Sequence, residues 1–126
     1  MSFHAGQISI KRAYDPAAPG DGYRVLVDRL WPRGIRNQAL PLDEWNKDVA
    51  PSTELREWFG HDPERWAEFQ KRYRHELSDA QHQTALRSLL KSADHRSLTL
   101  IYAAKDLKHN HALVLQAVLR DLSSPV

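Results

Sequence analysis

Apolar and polar side chains alternate over residues 7–14, with Ile8 and Ile10 apolar and Ser9 and Lys11 polar. A period of two predicts an edge or half-buried strand. Residues 23–31 differ. They contain Val25-Leu26-Val27, a continuous apolar run rich in β-branched side chains, which fits a strand covered on both faces. Pro32 and Gly34 end it. Residues 98–104, Leu-Thr-Leu-Ile-Tyr-Ala-Ala, form a second run of that kind.

Between and after these runs the period becomes helical. Trp66, Phe69, Tyr73 and Leu77 make one apolar stripe, and Glu64, Glu68, Arg72 and Glu76 fall on the opposite face at spacings of four. The pairs Glu68–Arg72 and Arg72–Glu76 favour that helix. Asp62-Pro63 supplies a cap followed by proline at the first helical position. Leu86, Leu89, Leu90 and Ala93 mark another helix. Leu115, Val118, Leu119 and Leu122 mark a last one, starting at about Asp106 or Asn110. Ser52, after Pro51, caps a short helix through Leu55, Trp58 and Phe59 that Gly60 stops. Leu40, Leu42, Trp45 and Val49 have roughly helical spacing, and Asp43 is placed to cap a short helix there.

The order of elements predicts an α/β fold: a small single-domain sheet of about three strands, mainly parallel, packed with four to five helices. The helical link between the second and third strands suits parallel pairing. Residues 15–22, with Pro16, Pro19, Gly20 and Gly22, form a loop too short for a usual parallel crossover. The first strand is therefore expected at an edge and antiparallel.

A length of 126 residues matches one domain, residues 1–126. A chain of that size buries roughly two-thirds of its unfolded surface. Apolar residues are 41% and charged residues 27%, which places it among globular rather than disordered chains. The absence of cysteine excludes disulfides, thiol catalysis and a cysteine zinc site. The first 25 residues hold no apolar stretch of signal-peptide length, and nothing downstream is long enough to span a bilayer. A cytoplasmic protein with no membrane partner is expected.

The net charge of +2 describes a mixed surface, which argues against a broad nucleic-acid-binding face. Its distribution is more informative. Over residues 22–36 the basic side chains are Arg24, Arg29, Arg33 and Arg36, and Asp28 is the only acid. Arginine suits bidentate capture of phosphate or carboxylate. In open α/β sheets ligands bind outside the carboxyl ends of the strands. That rule gathers Asp28, Arg29, Trp31 and Arg33 after the second strand with Tyr102, Lys105, Asp106 and Asn110 after the third. Arg29, Arg33 and Lys105 would hold an anion, and Trp31 or Tyr102 would form a stacking or hydrogen-bonding wall. Asp28 or His61 would carry any proton transfer. Trp58 is a further stacking candidate. Asp106 reads first as a helix cap.

His109 and His111 flank Asn110 and lack the i, i+4 spacing of a helical zinc pair. His4, His75, His82 and His95 read as solvated. No metal site is expected. No cofactor is expected either: the five glycines form no phosphate-binding loop, and there is no G-x-S-x-G elbow.

Three longer blocks carry a family resemblance. They are residues 21–34, Asp-Gly-Tyr-Arg-Val-Leu-Val-Asp-Arg-Leu-Trp-Pro-Arg-Gly; Trp45-Asn46-Lys47 and Ala50-Pro51-Ser52 with Leu55-Arg56-Glu57-Trp58-Phe59 and His61-Asp62-Pro63; and residues 100–106 with Asn110-His111-Ala112. Together they resemble the YeaO-like branch of domain-of-unknown-function family 488, from about Ile8 to Leu119. The resemblance implies a small bacterial cytoplasmic α/β protein and names no reaction. The wider family has a helix between its first two strands and a cysteine-bearing segment after a later one. This chain has a loop at the first place and Tyr102-Ala103-Ala104-Lys105-Asp106 at the second, so thiol chemistry does not carry over.

The leading functional expectation is a binding site, possibly enzymatic, for a small phosphorylated or nucleotide-like anion. The alternatives are a nucleic-acid-binding module using the same arginines, and a protein-interaction or regulatory domain. The chain is expected to be a monomer or homodimer.

Overall fold

The computed structural model describes residues 7–123. Four strands form one sheet: β1 (Ile8–Arg12), β2 (Tyr23–Leu26), β3 (Glu44–Trp45) and β4 (Leu98–Tyr102), in the order β1-β4-β2-β3. All three pairings are parallel. Four helices follow the chain: α1 (Thr53–Phe59), α2 (Trp66–Leu77), α3 (Ala80–Ala93) and α4 (His111–Ser123). This is the α/β, mainly parallel architecture expected from the sequence, with one strand more. Among the described residues, no helix is long and apolar enough to cross a membrane.

The expected antiparallel first strand is corrected. β1 runs parallel to β4, pairing Ile8 with Leu98 through Arg12 with Tyr102. β1 and β2 flank β4, so residues 13–22 must return the length of the sheet while stepping over one strand. With strands about 4.8 Å apart and a five-residue strand about 17 Å long, that path is roughly 20 Å. Ten residues in extended form reach roughly 33 Å, so a strap of coil suffices without a crossover helix.

The strap is fastened to the sheet beneath it. Thr99 Oγ1 in β4 donates to the Asp21 carbonyl at 2.8 Å. At its end Gly22 has φ +65°, and a Cβ there would stand 2.2 Å from the Ser97 carbonyl oxygen. That oxygen accepts the Tyr23 N–H at 2.7 Å. Only glycine lets the two backbones approach so closely.

The helix expected around Leu40 to Val49 is also corrected. That stretch holds a 3-10 turn (Asn37–Ala39), β3, and a second 3-10 turn (Lys47–Val49). Pro41 has no N–H to extend a helix. Backbone partners on β2 then claim the segment: Asp43 N–H donates to the Arg24 carbonyl and Asn46 N–H to that of Leu26. The remaining helical stripes stand. Phe69, Tyr73 and Leu77 of α2 and Leu86, Leu89, Leu90 and Ala93 of α3 are buried. Ser52 caps α1 and Gly60 ends it in the left-handed conformation.

Side-chain alternation gives the sheet two unlike faces. Ile8, Val25, Leu98, Leu100 and Tyr102 join the helices in the main core. Ala13, Leu26, Leu40 and Ile101 form a smaller cluster on the other face. That face is roofed by coil rather than helix.

Candidate functional site

The carboxyl ends of β2 and β4 meet at Asp28. Its Oδ2 accepts the Ala103 N–H at 3.0 Å, and its Oδ1 lies 2.9 Å from His111 Nε2. His111 Nε2 is also 3.1 Å from the Val27 carbonyl. A carbonyl only accepts, so that nitrogen carries the proton. The hydrogen is directed at the carbonyl, which leaves the buried Asp28 Oδ1 with no well-aligned donor. Trp45 Nε1 donates to the Asp28 carbonyl at 2.7 Å. Asp28 therefore ties together β2, the end of β4, β3 and the start of α4.

Arg29 turns the other way. Its Nε donates to the Pro51 carbonyl at 3.0 Å and its Nη2 to that of Ala50 at 3.4 Å. The guanidinium thus holds the entry to α1. At that entry Glu76 accepts from Ser52 N and Ser52 Oγ, while Ser52 Oγ caps Leu55 N. Tyr73 is fully buried beside this point and donates to the Val49 carbonyl. Burial, followed by the Glu76 and Asp28 charges, pushes its hydroxyl well above the usual range.

The residues after β4 are mostly committed to the fold. Asn110 is buried and is the N-cap of α4. Its Oδ1 accepts Leu113 N–H at 3.1 Å, and its Nδ2 donates to the Asp106 carbonyl at 2.9 Å. Asp106, expected as a possible helix cap, instead caps the preceding turn through the N–H groups of Lys108 and His109. Those bonds and the His109 ring at 2.9 Å lower its pKa. Tyr102 is 2% exposed, too enclosed to form an open wall. Burial raises its pKa against the opposing charge of Arg12.

The structure does not bring His61 to this rim. Arg29 holds the amino end of α1, whereas His61 follows its carboxyl end, about 10 Å of helix away. Its ring lies 6.4 Å from that of Phe59. Trp31 is half-buried, donates to the Ile35 carbonyl and packs edge-on against Trp45 at 5.4 Å. Trp58 has the Arg72 guanidinium 4.1 Å from its ring centre. Trp45 is the more open aromatic, 37% exposed, with Lys47 Nζ 4.2 Å from its ring centre. Arg33 and Lys105 are exposed, and their side chains form no hydrogen bond or ion pair with another described residue.

Sequence reasoning placed Arg24 in the arginine cluster but not in the site. It is 6% exposed and pairs with Asp21, which also holds Lys11 Nζ at 2.7 Å. The available signal was a cation inside a strand covered on both faces: such a charge needs a buried partner.

A family described as "Inactive DUF488-N3 subclade" matches residues 7–124. The chain belongs to this DUF488 subclade. It is 51% identical over 115 residues to the uncharacterized protein YeaO of Escherichia coli (strain K12), covering 91% of this chain and 98% of that one. It is 44% identical over 113 residues to uncharacterized proteins of Mycobacterium tuberculosis (strain ATCC 25618 / H37Rv) and Mycobacterium bovis (strain ATCC BAA-935 / AF2122/97), covering 90% of this chain and 93% of each relative. No solved structure matches the chain. The blocks quoted above thus lie within the DUF488 match. Within it, Asp28, Arg29 and Asn110 serve to fasten strands and helices to one another.

Proposed function

We propose that this DUF488 protein binds a small phosphorylated or nucleotide-like anion at the carboxyl end of its sheet, and carries out no reaction on it. The observation that carries this reading is the pairing of an open aromatic with uncommitted cations at that end. Trp45 is exposed beside Lys47, while Arg33 and Lys105 have no partner among the described residues. Trp45 ends β3, and Lys105 lies three residues past the end of β4, two strand spacings or about 10 Å across the sheet. A ligand that stacks its base on the indole would reach toward the cations with its phosphate. Ser52, His111 and one carboxylate oxygen of Asp28 are spent on structural bonds, and the subclade's own description as inactive favours binding over turnover.

A second reading rests on Leu30 and Leu107, 61% and 63% exposed in the loops that follow β2 and β4. Such side chains suit a protein partner at the same end.

The test is a thermal-shift panel on the wild type and an Arg33→Ala/Lys105→Ala variant, with phosphate, common nucleotides, sugar phosphates and a short single-stranded oligonucleotide. A ligand at about 100 times its Kd adds roughly 2.7 kcal/mol, a shift of several degrees for a chain this size. The expected result is a shift from one small-anion class that the variant loses. A shift only from the oligonucleotide, falling steeply with salt, would move the reading to nucleic acid. No shift from any compound would leave the protein-partner reading.

A further inference from the structure

The exposed large apolar side chains are not spread over the molecule. Among the described residues they are Tyr14, Leu30, Trp45 and Leu107. Tyr14 follows β1, Leu30 follows β2, Trp45 ends β3 and Leu107 follows β4. Because every pairing in the sheet is parallel, the four strands end on the same side. All four tips therefore lie at its carboxyl end. Hydrogen bonds join the loops that carry them. Tyr14 Oη donates to the Arg33 carbonyl, Trp45 Nε1 to the Asp28 carbonyl, and the Ala103 N–H to Asp28 Oδ2. The chain ends of β1, β3 and β4 are thus each tied to the loop after β2.

The net charge lies at the same end. Residues 13–16, 27–36, 46–51 and 103–110, which follow the four strands, hold six arginines and lysines against four aspartates, Asp15, Asp28, Asp48 and Asp106. The chain has 18 basic and 16 acidic residues, so outside these loops 12 face 12 and the whole excess of +2 sits here. Cations alternate with the tips. Arg33 follows Leu30, Lys47 Nζ is 4.2 Å from the Trp45 ring centre, and Lys105 and Lys108 stand on either side of Leu107. Asp28 and Asp106 are turned onto backbone N–H groups.

We infer that this end docks on an anionic lipid surface, its apolar tips entering the headgroup layer while lipid phosphates meet Arg33, Lys47 and Lys105. The inference rests on the anion-binding reading above and names a lipid headgroup as the source of the phosphate. Docking of this kind needs no spanning segment, and the expectation of no membrane partner came from the lack of one. Leucine tips interleaved with lysines suit a bilayer, where apolar ends sink between headgroups and cationic ends stay at the depth of the phosphates. The core of a protein interface is instead depleted in lysine.

The test is co-sedimentation with vesicles of phosphatidylcholine alone and of phosphatidylcholine and phosphatidylglycerol in equal parts, beside a thermal-shift titration with soluble glycerol phosphate. Binding to the mixed vesicles is expected, weakening as salt rises, and at least about ten-fold weaker on phosphatidylcholine alone. Leu30→Ser/Leu107→Ser changes two exposed tips and leaves the core untouched. It should weaken binding at least about ten-fold. Arg33→Ala/Lys105→Ala should weaken it on the order of 30-fold. Arg87→Ala/Lys91→Ala, the same loss of charge from exposed positions on α3, should leave it within about three-fold. Equal binding to both kinds of vesicle, binding that survives the leucine variant, equal effects of the two charge variants, or no vesicle binding would each overturn the proposal. A shift from glycerol phosphate without vesicle binding overturns it and leaves the small-anion reading in place. Vesicle binding of the expected pattern without such a shift supports lipid docking and removes the soluble ligand.

Discussion

On its helix-covered side the sheet meets a dry aromatic stack. Phe59 and Phe69 lie 4.3 Å apart between ring centres, with Trp66 and Tyr73 within 6 Å of Phe69. On its other side the sheet meets Lys11, Asp21 and Arg24 under a strap of coil, with only Ala13, Leu26, Leu40 and Ile101 as a buried apolar cluster. The difference follows from what covers each face. A helix satisfies its own backbone groups and can present a wholly apolar stripe. A coil strap cannot, so its carbonyls need polar partners from the sheet, and Thr99 and Lys11 provide them for Asp21 and Pro16, while the Ala18 N–H is met by the strap's own Asp21. Stability should therefore reside in packing on one face and in charge pairing on the other.

The largest effect is expected on the packed face. Phe69→Ala removes the ring that touches Phe59, Trp66 and Tyr73 at once, and should cost about 3–5 kcal/mol in denaturant unfolding. A loss below about 1 kcal/mol would mean that the stack contributes little and that the comparison is wrong.

On the charged face, Asp21→Asn leaves Lys11 and Arg24 facing each other without their shared acid. The cost should be about 3 kcal/mol, the low end for a broken buried pair because Lys11 keeps 23% of its side-chain surface in water. Replacing all three charges by Met, Leu and Leu should cost much less, since no charge is then left buried and unpaired. The acid response follows from the same group. Burial alone would raise the Asp21 pKa, but hydrogen bonds from Lys11, the Ala18 N–H and Arg24 hold it below its usual 3.8. A lowered folded pKa contributes stability that is present above the usual value and is lost as pH falls through the folded one. Wild-type stability should therefore drop below pH of about 4, and Asp21→Asn should flatten that drop.

The contrast between faces also explains what could be read from the chain. Helix stripes such as Phe69-Tyr73-Leu77, and buried strands such as Val25-Leu26-Val27, announce themselves because an apolar face must repeat at the period of its backbone. β3 has two residues, too few to show any period. The direction of β1 was decided by the reach of residues 13–22, not by their composition. The four arginines of residues 22–36 are neighbours in sequence but not in role. Arg24 points to the loop face from within a strand, Arg29 grips the start of α1, and Arg33 and Arg36 stay in the solvent. The family blocks were legible as blocks, yet Asp28, Arg29 and Asn110 within them turned out to hold backbone groups. No spacing rule separates an arginine that grips a carbonyl from one that grips a ligand.

The smallest expected effect probes the edge where the two faces meet. Tyr23 Oη donates to Glu44 Oε1 at 2.6 Å, joining β2 to β3. Burial, and then the Glu44 carboxylate as acceptor and charge, push the Tyr23 pKa up to about 12 from its usual 10. A raised folded pKa means the folded state holds the proton more tightly. The contribution is thus complete below the usual value and fades as pH rises through the folded one. Tyr23→Phe should cost about 1 kcal/mol at neutral pH, the scale of one partly solvated hydrogen bond. The measurement is stability against pH for wild type and variant, with tyrosinate absorbance followed in parallel. The two curves should run parallel at neutral pH, close as pH rises above about 10, and meet or cross before about 12. If they keep their separation past pH of about 12, the Glu44 bond does not join this edge, and β3 is held instead by its backbone pairing and by Trp45 on the Asp28 carbonyl.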